Sequence, residues 1–276
     1  MSVIVVGVDG SKASMEALGW TVELAGLLSL DVLAISAVPD SPGPEFAEQR
    51  RARAAMLDTA VAEATHNGKV VVSGRLIDGD ARLALQDVAD EESAEMVVVG
   101  STGDDAGPGF LHLGSVAEYL AHHLERPLVV VPLDTPFALN RILVGLDGSD
   151  ASRAAAQWTA TVAAAAGADV IGLSVDDPIL EWTPASSVDN WRRAVEESIR
   201  DDWASPVIEA GVPLTATAVE GSHPAQAIIE RAERDRADMV VVGARGVGGF
   251  TGLRAGGVAM KVLHRCPYPV VLATGA

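Results

Sequence analysis

Two aspartates and two glycine-rich loops are the residues here whose types and spacing could do chemistry. Asp9 and Asp147 each follow a short apolar run and precede Gly-Ser, in VIVVGVDGS from Val3 and RILVGLDGS from Arg141. A carboxylate so placed can accept hydrogen bonds from a ligand, or from the turn and helix start that follow it, for which Ser11 and Ser149 are equally good caps. Further along, MVVVG runs into STGDDAGPGFLHLGS in one half and ARGVGGFTGLRAGG in the other. Glycines there reach positive φ and bring backbone N–H groups to a ligand without obstruction by Cβ. An anion held by them also meets the start of the following helix, where Val258, Val262 and Leu263 keep helical spacing. The chemistry this suits is the cradling of phosphate. Arg245 can pair a phosphate bidentately or stand as a solvated loop arginine.

The elements that must position these residues are legible as alternating apolar runs and helical patterns. Strands are expected at 3–6, 32–38, 69–77, a run from Met96 and a run from Leu128, then again from Arg141, at 170–175, 214–219, from Met239 and from Val270. Such runs, without polar alternation, are the pattern of strands covered on both faces of a parallel sheet. The two halves repeat: Asp147 follows Asp9 by 138 positions, Gly221 follows Gly79 by 142, Gly243 follows Gly100 by 143 and Pro269 follows Pro127 by 142. The drop inside the glycine loop means that the first half carries one extra loop residue. Each half reads β-α-β-α-β-α-β-α-β, and right-handed crossovers put helices on both faces of a five-stranded parallel sheet. The domains are expected at 1–135 and 139–276, joined by a short polar and proline-containing linker. In such sheets ligands bind beyond the carboxyl ends of the strands, at the topological switch point, where Asp9 can meet Gly100 and Asp147 can meet Gly243.

Composition narrows the partners. A formal net charge of −18 argues against nucleic acid and anionic membrane, both of which need a basic patch. No stretch is long and apolar enough for a span or a leader at Met1, so a soluble, cytoplasmic protein is expected. The single cysteine, Cys266, excludes an intramolecular disulfide and reads as a small buried apolar residue. Trp182, Trp191 and Trp203 read as packing residues rather than a base-stacking platform. The histidines lack metal-ligand spacing, and no nucleophile, base and orienting group can be assembled.

Taken together, the two VG-[VL]-DGS strand ends, each followed by a MVVVG-glycine loop and a closing proline and valine-rich strand, resemble the universal stress protein family in tandem. The resemblance covers essentially the whole chain. It implies two Rossmann-like domains of the adenine nucleotide α-hydrolase-like class and a function in stress response or regulation. In nucleotide-binding members, the aspartate at the first strand end holds the nucleoside and the glycine loop cradles the phosphates of ATP. Carried over, this assigns Asp9 and Asp147 to the nucleoside and the backbone near Ala37 and Val175 to the adenine border. Gly100, Gly103, Gly114 and Ser115 would line the first phosphate loop; Gly243, Gly246, Gly256 and Gly257 would line the second. The resemblance also implies that the last strands of the two halves pair as an internal pseudo-dimer, with a homodimer left open.

Neither loop matches completely the family signature of Gly, two residues, Gly, nine residues, then Gly and Ser or Thr. The second has the spacing but Gly257 in place of the hydroxyl residue, a net loss on the order of 1 kcal/mol. The first has Gly114-Ser115, but ten residues separate Gly103 from Gly114, Asp104 and Asp105 fall within the loop, Pro108 removes a donor and Thr102 replaces Arg245. A carboxylate about 6 Å from a phosphate costs roughly 3 kcal/mol at an effective dielectric near 20. Two of them outweigh one hydroxyl. The second site is therefore expected to be the better one, while the first binds weakly, needs Mg²⁺ bridging its aspartates, or is empty. The expected function is adenine-nucleotide binding with at most slow hydrolysis; a nucleotide-free scaffold acting through protein contacts is the alternative.

Overall fold

Strand formation follows the valine-rich runs. In a computed structural model, which describes residues 2–65, 70–102, 113–176, 185–245 and 255–274, the chain divides into two units, Met1–Phe137 and Ala138–Ala276. In the first unit the strands are β1 (Val3–Gly7), β2 (Asp31–Val38), β3 (Val72–Asp78), β4 (Met96–Gly100) and β5 (Leu128–Val131). Between them run α1 (Lys12–Leu28), α2 (Pro44–Ala64), α3 (Ala81–Glu91) and α4 (Ser115–His123). All pairings are parallel, in the order β3-β2-β1-β4-β5.

The second unit repeats the plan with β6 (Arg141–Gly145), β7 (Asp169–Asp176), β8 (Leu214–Glu220), β9 (Met239–Gly243) and β10 (Val270–Ala273). Its order is β10-β9-β6-β7-β8, again parallel. The helices are α5 (Asp150–Ala166), α6 (Ala185–Ser198), α7 (Ser205–Glu209), α8 (Pro224–Asp235) and α9 (Gly257–Arg265). A π-type turn, Ile199–Trp203, joins α6 to α7. Pro206 in the first turn of α7 cannot donate into a continuous helix, so the expected amphipathic helix arrives in two pieces. Trp191 lies in α6, while Trp182 lies outside the described residues.

Each sheet is the mixed α/β, doubly wound arrangement that the repeat implies. Its core is the apolar strand set: Ile4, Val5, Val6, Val97 and Val98 in the first unit and Ile142, Leu143, Val144, Val240 and Val241 in the second are wholly buried. Two strands depart from the expectation of runs covered on both faces. In β3 only Val72 is buried, and β8 alternates around Ala216 and Ala218. Both sit at one end of their order, with fewer helices against them, which lets Ser73, Arg75, Thr215 and Thr217 face outward. The third strand also starts at Val72 rather than at residue 69, which lies outside the described residues; Val71 is exposed.

The first helix of each unit is set by the same local device. Ser11 and Ser149 cap α1 and α5 by accepting from the N–H groups of Ser14 and Ser152, both at 3.2 Å. At the far ends Ser29 and Gly167 take the left-handed conformation and stop the helices. Cys266 is buried, and burial pushes its thiol up to about 11. No helix among the described residues is long and apolar enough to cross a membrane.

Candidate functional site

Strand order sets where a ligand can sit. β1 is paired on one side to β2 and on the other to β4, and β6 likewise to β7 and β9, so the chain reverses its winding direction beside the carboxyl ends of β1 and β6. Asp9 and Asp147 lie just beyond those ends. Each forms the turn that the sequence allowed: Asp9 Oδ1 accepts from the Ser11 N–H at 2.9 Å, and Asp147 Oδ1 from the Ser149 N–H at 3.0 Å. The Ser149 hydroxyl adds a bond to the same Oδ1 at 2.5 Å. One carboxylate oxygen thus rigidifies each turn.

The glycines ending β4 and β9 have a packing role that the sequence reading missed. A Cβ on Gly100 would lie 2.9 Å from the Ala13 backbone, and one on Gly243 would lie 2.6 Å from the carbonyl carbon of Ala151. These glycines let the first turns of α1 and α5 approach the strand ends. The loops that follow return to matching points: the Gly114 N–H donates to the Ser101 carbonyl at 2.8 Å, and the Gly256 N–H to the Ala244 carbonyl at 2.7 Å. Gly114 and Gly256 then cap α4 and α9 with extended backbone and no side-chain bond. The first-turn N–H groups of α9, at residues 257–259, have no acceptor within the helix. Gly103, Asp104, Asp105, Pro108 and Gly246 lie outside the described residues.

In the second unit the pieces converge on a cavity of about 430 Å³. Its wall includes six of the residues assigned to a binding role from sequence: Asp147, Val175, Gly243, Arg245, Gly256 and Gly257. Leu173 and Val242 supply an apolar floor at the strand ends, and Pro224 and Ile228 close one side from α8. Ser152 also faces it, but its hydroxyl is committed to the Ser149 carbonyl at 2.9 Å. Sequence reasoning did not find Lys261, which enters the wall from α9. The signal was available: it lies one helical turn beyond Gly257, on a helix whose start was already assigned to the phosphate. Among the described residues the cavity wall therefore carries two cations, Arg245 and Lys261, against one carboxylate, Asp147. In a chain of net charge −18 this is a local reversal of sign, and it lies where a helix start also favours an anion.

A further contact outside the cavity braces the Asp147 turn. Gly148 takes φ +77°, and a Cβ there would come within 2.9 Å of the Trp203 indole, so that ring lies against the turn itself. Trp203 is carried by the π-type turn, which is anchored by Asp202: the Arg153 guanidinium grips its carboxylate with both amino groups, one at 2.8 Å, and holds it below the usual carboxylate range. This places Trp203 in packing, as its sequence context suggested.

The first unit brings Asp9, Ala37, Gly100, Gly114 and Ser115 to the corresponding places with different company. Ala37 is half-buried in β2, and Ser115 is exposed as the first residue of α4. Gly10, at φ +87°, meets Met56 instead of an indole. The Arg53 guanidinium donates to the Asp9 carbonyl. At the position matching Lys261 stands Tyr119, stacked on His123 with ring centroids 4.0 Å apart, with the Arg82 guanidinium 5.4 Å from its ring centroid. Among the described residues no group of three or more His, Cys, Asp and Glu could hold a metal ion.

Comparison with known proteins agrees with this architecture. The model of the universal stress protein family matches twice, over residues 1–132 and 138–274. A universal stress protein of Mycolicibacterium smegmatis is 30% identical over an alignment covering 98% of this chain and 96% of its own. The universal stress protein Rv1996 of Mycobacterium tuberculosis is 28% identical, with 98% of this chain and 94% of its own covered. Among solved structures, a universal stress protein from Archaeoglobus fulgidus superposes with a TM-score of 0.76 at 19% identity, covering 99% of this chain and 98% of that one. With both halves matched by the family model and both built on the same parallel sheet, the chain belongs to the universal stress protein family.

Proposed function

We propose that this protein is a nucleotide-responsive stress or regulatory module that binds an adenine nucleotide, ATP in the first instance, with the second unit as its better site. The observation that carries the reading is the cavity of about 430 Å³ at the switch point of the second unit, which gathers Asp147, Val175, Arg245, Lys261 and the start of α9 into one wall. Its volume lies within the usual range for small-ligand sites, about 300–1,000 Å³. The apolar floor of Leu173 and Val242 suits a base, Asp147 suits ribose or amine donors, and Arg245 and Lys261 with the start of α9 suit phosphates. The choice of adenine rests on family membership, and that of phosphate on the wall itself. Binding rather than turnover is the role, with at most slow hydrolysis. A cytoplasmic setting, where adenine nucleotides are abundant, accords with one buried cysteine.

The test is to purify the chain without added nucleotide, denature it and quantify the adenine nucleotide released, then to melt the emptied protein with and without ATP and Mg²⁺. Ligand at about 100 times its Kd stabilises the fold by roughly 2.7 kcal/mol, which a melting curve reads directly. The expected result is about one nucleotide per chain, lost in Asp147→Ala and kept in Asp9→Ala. No release and no melting shift would move the protein to a scaffold working through protein contacts.

A further inference from the structure

We propose that Lys261 makes the second unit's site count phosphates, holding the outer phosphates of a nucleoside di- or triphosphate so that adenosine and monophosphate are discriminated against. The inference rests on the reading of that cavity as a nucleotide site and adds the residue that sets its selectivity.

Three observations carry it. Lys261 is part of the cavity wall, and no carboxylate among the described residues pairs with it. Second, it stands four residues into α9 from Gly257, about 6 Å along the axis. Helical side chains lean toward the N-terminus, so from this position a lysine stem can reach back toward the unsatisfied N–H groups of the first turn. Gly257 has no side chain to stand between them, and the space where its Cβ would be is open to 4 Å. Third, the matching residue of the first unit, Tyr119, has no charge to offer: its hydroxyl reaches Gln86 at 3.4 Å and its ring is stacked on His123.

A phosphate at the start of α9 satisfies the first-turn N–H groups whether one phosphate follows the ribose or three. Each further phosphate adds negative charge that the backbone N–H groups do not reach and the Lys261 ammonium can. Lysine is a point charge on a flexible stem and follows a phosphate chain without demanding bidentate geometry. Selection is then electrostatic: steep in phosphate number, and weakened by salt.

The experiment titrates adenosine, AMP and ATP into the full-length protein and into Lys261→Gln and Lys261→Arg, by calorimetry at low and high ionic strength. In the unaltered protein ATP should bind at least about tenfold more tightly than adenosine. Lys261→Gln should lose about tenfold for ATP and less than twofold for adenosine, with a shallower salt dependence, and Lys261→Arg should restore most of the difference. Lys261 is exposed, so the melting temperature of the nucleotide-free variant should not move. An unchanged ratio of ATP to adenosine affinity in Lys261→Gln overturns the role of Lys261 and leaves the nucleotide site standing. Failure of the unaltered protein to bind any of the three overturns both.

Discussion

The two units share the frame of their sites and differ in what reaches into them. In both, an aspartate at the first strand end ties down the next turn, a serine caps the following helix, and a glycine at the fourth strand end lets that helix come close. The loop then rejoins its unit through the same hydrogen bond. None of these contacts needs a ligand. Over this frame the second unit sets Arg245 and Lys261, and the first sets Thr102 and Tyr119, with Arg53 drawn onto the Asp9 carbonyl. The crevice in this fold therefore mixes residues that build it, which the two units largely share, with residues that charge it, in which they differ.

The largest expected effect separates these two classes. Gly243→Ala forces a Cβ to 2.6 Å from the Ala151 backbone, where neither rotamer change nor a flexible neighbour can relieve it. Overpacking of this kind should cost about 3 kcal/mol, read as a lower urea midpoint with nucleotide absent. Gly100→Ala, at 2.9 Å from Ala13, should cost somewhat less. Equal stability of the unaltered protein and Gly243→Ala would mean that the glycine serves the ligand alone.

Next in size is the brace behind Asp147. Trp203→Ala removes a half-buried indole from Gly148 and should destabilise by about 2 kcal/mol, with Met56→Ala in the first unit costing about 1 kcal/mol. Because the indole lies against the turn that holds Asp147, the Trp203 variant should also weaken nucleotide binding. Destabilisation with unchanged affinity would show that the turn keeps its shape unaided.

Gly257→Ser tests the hydroxyl that the second loop lacks. A Cβ at Gly257 meets nothing within 4 Å, and serine is accommodated at a helix start, so the fold should be untouched. One added hydrogen bond to phosphate is worth about 1 kcal/mol, or roughly fivefold in affinity for ATP. A gain in stability without a gain in affinity would place the phosphate away from the start of α9.

How much of this was legible without coordinates depended on the kind of constraint. The parallel strands announce themselves because β1, β4 and β9 are unbroken apolar runs and β6 is one after Arg141, and the repeat announces the two units. The aspartates and glycines were legible as a pattern but ambiguous in role, because the residues that suit a phosphate loop also suit a tight turn and a close helix. Gly100 and Gly243 proved to be needed by Ala13 and Ala151, contacts between elements that no local pattern encodes. Lys261 was missed for the opposite reason: a lysine on an amphipathic helix looks solvated until the cavity beside it is known. The Trp203 and Gly148 contact, between residues 55 positions apart, depends on the π-type turn, and no periodicity argument predicts one. The outward-facing β3 and β8 follow from strand order, itself a property of the assembled sheet.

The smallest difference between the units is at the helix after the third strand, and it can be read through pH. In the first unit Asp80 caps α3, accepting from the Arg82 N–H at 2.8 Å, and the Arg82 side chain holds its carboxyl at about 2, well below the ordinary 3.8. In the second unit α8 starts after His223, which makes no side-chain cap. Asp80→Asn keeps a cap acceptor and removes the charge, so it isolates the ion pair. A carboxyl whose folded pKa is depressed contributes stability that is present above its unfolded pKa and is lost as pH falls through the folded one. The stability gap between the unaltered protein and Asp80→Asn should therefore be constant above about pH 4 and close toward about pH 2. Its size should be a few tenths of a kcal/mol, because the pair is exposed. His223→Asp should install the missing cap in the second unit and raise stability by about 0.5 kcal/mol near neutral pH. A gap for Asp80→Asn that widens as pH falls would mean that Asp80 acts through some group other than Arg82.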